Sequence, residues 1–155
     1  MLHSELLAQI PLFDTLSRED TEALAKRLTE QKYKAGQKVF DKDDKGSSMY
    51  IVLSGAAQIF LPGDGDERVI LKDVRTGEYF GELSLFDDKP RSASVAASTD
   101  TVLLELTREE FGEHLGRSRT AAMAILAEMA ERLRETNSLL SQRAARDVVK
   151  EIEDN

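Results

Sequence analysis

Cysteine is absent from this chain, and with it go disulfides, thiolate metal sites and cysteine nucleophiles. A reducing, cytoplasmic setting suits that composition. Only two histidines occur, His3 and His114, and neither has another histidine at ligand spacing. That counts against a metal-dependent enzyme of the cupin type, which needs several clustered histidines or carboxylates. Ser92 and Ser94 have no histidine nearby in sequence, so a hydrolase triad has no visible base. Long apolar runs are missing too. No stretch approaches the roughly 18 residues that a membrane span needs, and residues 1–5 lack the basic start and apolar run of a signal peptide. Basic charge is in deficit, the formal net charge being −8, which argues against a duplex-DNA binder. An anionic ligand would have to be held by local geometry.

What is present fits one globular domain. The 155 residues are 41% hydrophobic and 32% charged, enough for a real core. No repeat, linker or low-complexity stretch divides them, and the organisation reads in three parts. Residues 1–30 are helical: Ser17 followed by Asp20 forms a capping box, Leu24 and Leu28 recur at helical spacing, and Pro11 stops an earlier apolar segment. In residues 31–106 the period changes to two. Segments 38–40, 49–53, 56–61, 68–74, 92–97 and 102–106 look like strands, punctuated by glycines. Such spacing indicates an all-β sandwich or barrel. Residues 62–66, Pro-Gly-Asp-Gly-Asp, are the clearest turn. Residues 107–155 return to helix: Thr107 and Glu110 form a second capping box, Gly116 is expected to break the first helix, and a long helix follows from about residue 118.

One stretch, residues 79–95, fits neither a plain strand nor a plain helix. Gly81 permits a sharp strand exit, and residues 82–86 can form about one helical turn with free backbone N–H groups. Pro90 ends the connection, and Arg91-Ser92 opens the next strand with a forked donor and a hydroxyl. Together these make a phosphate cradle. Glu82 would repel a phosphate, so its presence makes sense if the ligand also brings a hydroxyl that needs a strong acceptor, as a ribose 2′-OH does.

This segment resembles the phosphate-binding cassette (residues 80–95) of cyclic-nucleotide-binding domains, found in bacterial cyclic AMP receptor proteins, cyclic-nucleotide-gated channels and kinase regulatory subunits. Gly81, Glu82, Leu83, Leu85, Arg91, Ala93 and Val95 stand where the family pattern places them, with the same nine-residue step from Glu82 to Arg91. The resemblance extends to Ile10–Phe13 with Leu16, to Gly36 with Gly46, and to residues 49–55. It implies a double-stranded β-helix, or jelly-roll, barrel: mainly β, with N-terminal helices and a long C-terminal helix. It also implies a ligand site made by Gly81, Glu82, Leu83, Ser84, Arg91, Ser92 and Ala93. Arg91 would bind the exocyclic phosphate oxygens with Ser92 as a second contact. Glu82 would accept the 2′-OH, and the backbone amides of Leu83 and Ser84 would complete the cradle.

In the C-terminal helix Leu126, Ala130, Leu133, Asn137, Leu140 and Ala144 step at heptad spacing. Two readings stand: a helix packed on its own barrel, or a parallel homodimer seam. Thr136 and Asn137 interrupt the apolar run, and in the resembling proteins a polar pair at this point reaches the base. The expected function is therefore reversible binding of a cyclic nucleotide, cyclic AMP or else cyclic GMP, with no catalysis, no metal and no cofactor. A ligand-free dimerisation or docking module is the alternative. No nucleic acid or membrane contact is expected of this chain. The helix-turn-helix domain of the family's transcription factors has no room here, and an effector domain beyond Asn155 is expected.

Overall fold

The computed structural model describes residues 1–154. α1 (His3–Ala8), a 3-10 turn at Pro11–Phe13 and α2 (Arg18–Ala25) form the N-terminal unit. The Ser17 hydroxyl accepts the Asp20 amide at 3.1 Å, satisfying one of the donors that a helix start leaves open. Leu6, Leu7, Ile10, Leu12, Phe13 and Leu24 are all buried.

Eight strands follow: β1 (Thr29–Tyr33), β2 (Lys38–Phe40), β3 (Ser48–Ser54), β4 (Ala56–Pro62), β5 (Arg68–Arg75), β6 (Tyr79–Phe80), β7 (Ser94–Ala97) and β8 (Thr101–Thr107). They build two four-stranded antiparallel sheets, ordered β1-β8-β3-β6 and β2-β7-β4-β5. The jelly-roll expectation is met in this form. β3 shows why the sheets lie where they do: Met49 and Ile51 join the helices in one cluster, while Tyr50 and Val52 join Phe80, Val95 and Leu103 in another. A strand whose both faces are covered reads as a continuous apolar run rather than an alternation.

α3 (Arg108–Arg117) and α4 (Arg119–Asp154) complete the chain. Thr107 caps α3 by accepting the Glu110 amide at 3.1 Å. Phe111 of α3 and Ile125 of α4 pack with the N-terminal unit, Phe111 meeting Phe13 edge to face at 6.0 Å. Across this junction His114 Nε2 lies 2.9 Å from Asp20 Oδ1, both residues buried. Burial pushes the Asp20 carboxyl up, but hydrogen bonds from Ser118, Ser17 and His114 together hold it below the ordinary carboxylate value. His114 thus has a structural partner.

Three local expectations are corrected. Gly116 lies inside α3, and the break falls at Ser118, which is extended (φ −123°, ψ 100°) and caps α4 by accepting the Ala121 amide at 3.1 Å. One glycine in a last turn costs only about 1 kcal/mol, so it does not oblige a helix to end. β1 starts at Thr29, inside the segment read as helical, and the two-residue β6 was too short to show a period. β7 starts at Ser94 rather than at residue 92. Of the two readings of the long helix, α4 packs on the fold up to Met129 and Arg132, with Ala121 and Ile125 buried, and every described residue from Leu133 onward is exposed.

Candidate functional site

β6 ends at Phe80 and is followed by Gly81, whose φ of +79° lies in the left-handed region. A Cβ there would stand 2.7 Å from Arg91 Nη1 and 3.1 Å from the Ser48 carbonyl oxygen, so glycine is required by close approach as well as by backbone angle. The chain then makes a 3-10 helix, Glu82–Leu85. The Ser84 amide donates to the Gly81 carbonyl at 3.1 Å. It is therefore already engaged, and the amides without a partner inside the turn are those of Glu82 and Leu83. Of the expected pair, Leu83 keeps a free amide within the turn, while that of Ser84 is the one held by Gly81. Ser84 itself is buried against Gly46, where a Cβ would come within 2.1 Å of its hydroxyl.

Arg91 is aimed by a backbone clamp. Its N–H donates to the Asp44 carbonyl at 2.7 Å, and its carbonyl accepts from the Asp43 amide at 2.9 Å. Gly46 adds a bond to the Lys89 carbonyl at 3.3 Å. The residue is 9% exposed. Nη2 donates to the Ser48 carbonyl at 2.8 Å, and the guanidinium carbon lies 4.1 Å from the Phe40 ring centroid. Burial pulls the guanidinium below its usual pKa, opposed by Tyr50, Glu105 and Asp44. Among the described residues no carboxylate forms an ion pair with it. A buried cation with donors to spare is a ready partner for an anion.

Arg91 opens on a cavity of about 400 Å³. Its wall holds every expected cassette residue: Gly81, Glu82, Leu83, Ser84, Arg91, Ser92 and Ala93. Ser92 and Leu83 are exposed, and Ala93 is buried. Phe40, Ile59, Phe80 and Val95 supply an apolar side suited to a flat ring. Glu82 lines the cavity, and its Oε2 is buried without a hydrogen-bond partner, an acceptor with capacity to spare. The arrangement can hold an anion, a hydroxyl and an apolar ring together. It pairs no nucleophile with a base.

Two features differ from the sequence reading. Thr136 and Asn137 do not line the cavity; both are exposed, and the Thr136 hydroxyl donates back to the Arg132 carbonyl at 3.0 Å. Instead Arg132, one turn earlier, reaches the site, with Nη1 3.5 Å from Glu82 Oε1 and Nε 3.7 Å from Glu128. The sequence reading missed Arg132. The one signal for it was its position four residues before Thr136, on the same helix face.

The sequence profile of the family described as cyclic nucleotide-binding domain matches residues 30–118. The cAMP-dependent protein kinase regulatory subunit of Colletotrichum orbiculare is 37% identical over 115 residues, 74% of this chain and 29% of that protein. The cyclic AMP receptor protein of Thermus thermophilus is 36% identical over 142 residues, 90% of this chain and 66% of its own length. Among solved structures, the N-terminal domain of a transcriptional regulator from Streptomyces coelicolor superposes with a TM-score of 0.80 at 32% identity, covering 86% of this chain and 95% of that one. The chain spans under a third of the kinase regulatory subunits it matches.

Proposed function

The chain belongs to the cyclic nucleotide-binding domain family, and from that premise we propose that it binds a 3′,5′-cyclic nucleotide reversibly, cyclic AMP in preference to cyclic GMP, as a regulatory input in the cytoplasm. The observation that carries this reading is the buried Arg91 guanidinium, in no direct ion pair with a carboxylate and lining the same cavity as Glu82. Arg91 takes the exocyclic phosphate oxygens, with Ser92 beside it and the Glu82 and Leu83 amides completing the cradle. Glu82 accepts the ribose 2′-OH. The base lies along Phe40, Ile59, Phe80 and Val95. The family is a binding and regulatory one, and this chain is read as having no catalytic step of its own.

The output belongs to α4. Leu126, Leu133 and Leu140 are exposed at 61%, 62% and 59%, and covering such side chains is worth about 1.5–3 kcal/mol each. Heptad spacing favours a second copy of the same helix as the cover. Pairing or closure of α4 is also the route by which Thr136 and Asn137 would come over the base. The proposed signal runs from Glu82 through Arg132 into this helix and on to an effector.

Calorimetric titration tests the reading. Cyclic AMP is expected to bind most tightly, cyclic GMP less, and 5′-AMP least, because its open, doubly charged phosphate misfits a cradle shaped for a ring. At one hundred times Kd, a ligand of the folded state adds about 2.7 kcal/mol of stability, visible as a raised Tm. No binding of any cyclic nucleotide would leave the ligand-free docking module; tighter binding of cyclic GMP would reverse the base assignment.

A further inference from the structure

β8 alternates between two environments, and one residue stands out. Leu104 and Leu106 pack toward the helices, whereas Leu103 packs between the sheets with Tyr50 and Val52. By the two-residue period Glu105 shares the inward side with Leu103. Its contacts agree: the Ser48 hydroxyl donates to Oε2 at 2.6 Å, the Tyr50 hydroxyl to the same oxygen at 3.3 Å, and the Gln31 amide to Oε1 at 3.2 Å. A carboxylate turned inward on a strand is costly unless hydrogen bonds and an opposite charge offset it.

The opposite charge is Arg91. Ser48 joins the two, because its carbonyl accepts Arg91 Nη2 at 2.8 Å while its hydroxyl serves Glu105. Tyr50 joins them a second time: its hydroxyl bonds Glu105, and its ring centroid lies 6.0 Å from the Arg91 guanidinium carbon. Glu105 is not part of the cavity wall, so it meets the guanidinium through Ser48 and Tyr50 rather than through the ligand's space. Burial and the Glu105 charge both push the Tyr50 phenol far above its usual value, so it remains a protonated donor.

Building on the nucleotide-binding reading, we propose that Glu105 is a positioning and tuning residue: it fixes Arg91 from behind through Ser48 and Tyr50, and its charge lowers the affinity of that arginine for the ligand phosphate. Phosphate and carboxylate share one cation, and they repel each other through a medium far less polar than water. The weakening suits a sensor, which must release its ligand when the concentration falls.

Glu105→Gln separates charge from shape. Its amide oxygen still accepts from Ser48 and Tyr50, and its amide N–H₂ can donate to the Gln31 side-chain oxygen. Calorimetry at low salt should show cyclic AMP binding about three- to ten-fold more tightly than wild type, with the gain shrinking as salt is added. Glu105→Thr, neutral and strand-favouring but too short to hold Ser48 and Tyr50, gives up the positioning contacts together with the charge and should bind more weakly than Glu105→Gln. Glu105→Asp keeps the charge and should show no gain. Unchanged or weaker binding in a folded Glu105→Gln, beside a wild type that binds, overturns the tuning role; Glu105→Thr binding as tightly as Glu105→Gln overturns the positioning role. A wild type that binds no cyclic nucleotide overturns the underlying reading and this role with it.

Discussion

Replacing Arg91 by lysine keeps the charge and removes the fork, which isolates what geometry contributes to binding. In the wild type Nη2 is committed to the Ser48 carbonyl at 2.8 Å, and the guanidinium rests on Phe40 at 4.1 Å. Its other nitrogens remain for a phosphate. An ammonium is a point charge; it cannot serve Ser48 and two phosphate oxygens from one place while stacking on the ring. The expected loss is one charge-assisted hydrogen bond, about 1.5–3 kcal/mol, plus part of the ring contact, about 0.5–2 kcal/mol. Together that is about 2–5 kcal/mol, or roughly 30-fold to several thousand-fold in Kd. Arg91→Ala removes the charge as well and should reach or exceed the upper end. Both variants should fold, because the clamp of Asp43 and Asp44 engages only the Arg91 backbone. Isothermal titration with cyclic AMP, alongside thermal melts, measures each term. An Arg91→Lys variant within three-fold of wild type would refute the bidentate reasoning, and near wild-type affinity in Arg91→Ala would end the cradle itself.

Glu82→Ala should weaken cyclic AMP binding by about ten- to a hundred-fold, from the loss of one charge-assisted hydrogen bond, and erase discrimination against the 2′-deoxy analogue; equal affinities of wild type for the two nucleotides would remove Glu82 from the ribose. Leu133→Glu with Leu140→Glu should yield monomers by light scattering while nucleotide binding persists, since neither residue lines the cavity; a wild type monomeric at high concentration, with and without ligand, would rule out the α4 seam. For Asp20 the folded pKa lies below the ordinary 3.8, so its ionised form contributes stability above that value and the contribution is lost as pH falls through the folded pKa. The stability gap between wild type and Asp20→Asn in urea unfolding should therefore narrow on going from about pH 5 to about pH 3; a gap that widens toward acid would contradict the Asp20 network.

What could be read in the chain alone was the chemistry that acts over a few residues. Ser17 and Thr107 cap the helices they were expected to cap, because a hydroxyl three residues before an amide is a local geometry. The six anticipated strands are present, most within a residue of their expected limits, because turn residues bound them and a covered strand shows as a two-residue period or, where both faces are covered as in β3, as an apolar run. The cassette was legible for the same reason: Gly81, Glu82 and Arg91 stand in one register along the sequence, and that register survives folding intact. Tertiary structure alone decided which groups meet across it. Ser48 lies 43 residues from Arg91 and 57 from Glu105, and nothing in a local pattern couples positions so far apart. That Arg132 rather than Thr136 reaches Glu82 depends on where α4 leaves the fold, which the Ser118 break settles. The apolar stripe of α4 was visible as a heptad but not its exposure, because spacing records which side of a helix is apolar, whereas its cover is fixed by the surfaces that the rest of the chain places beside it.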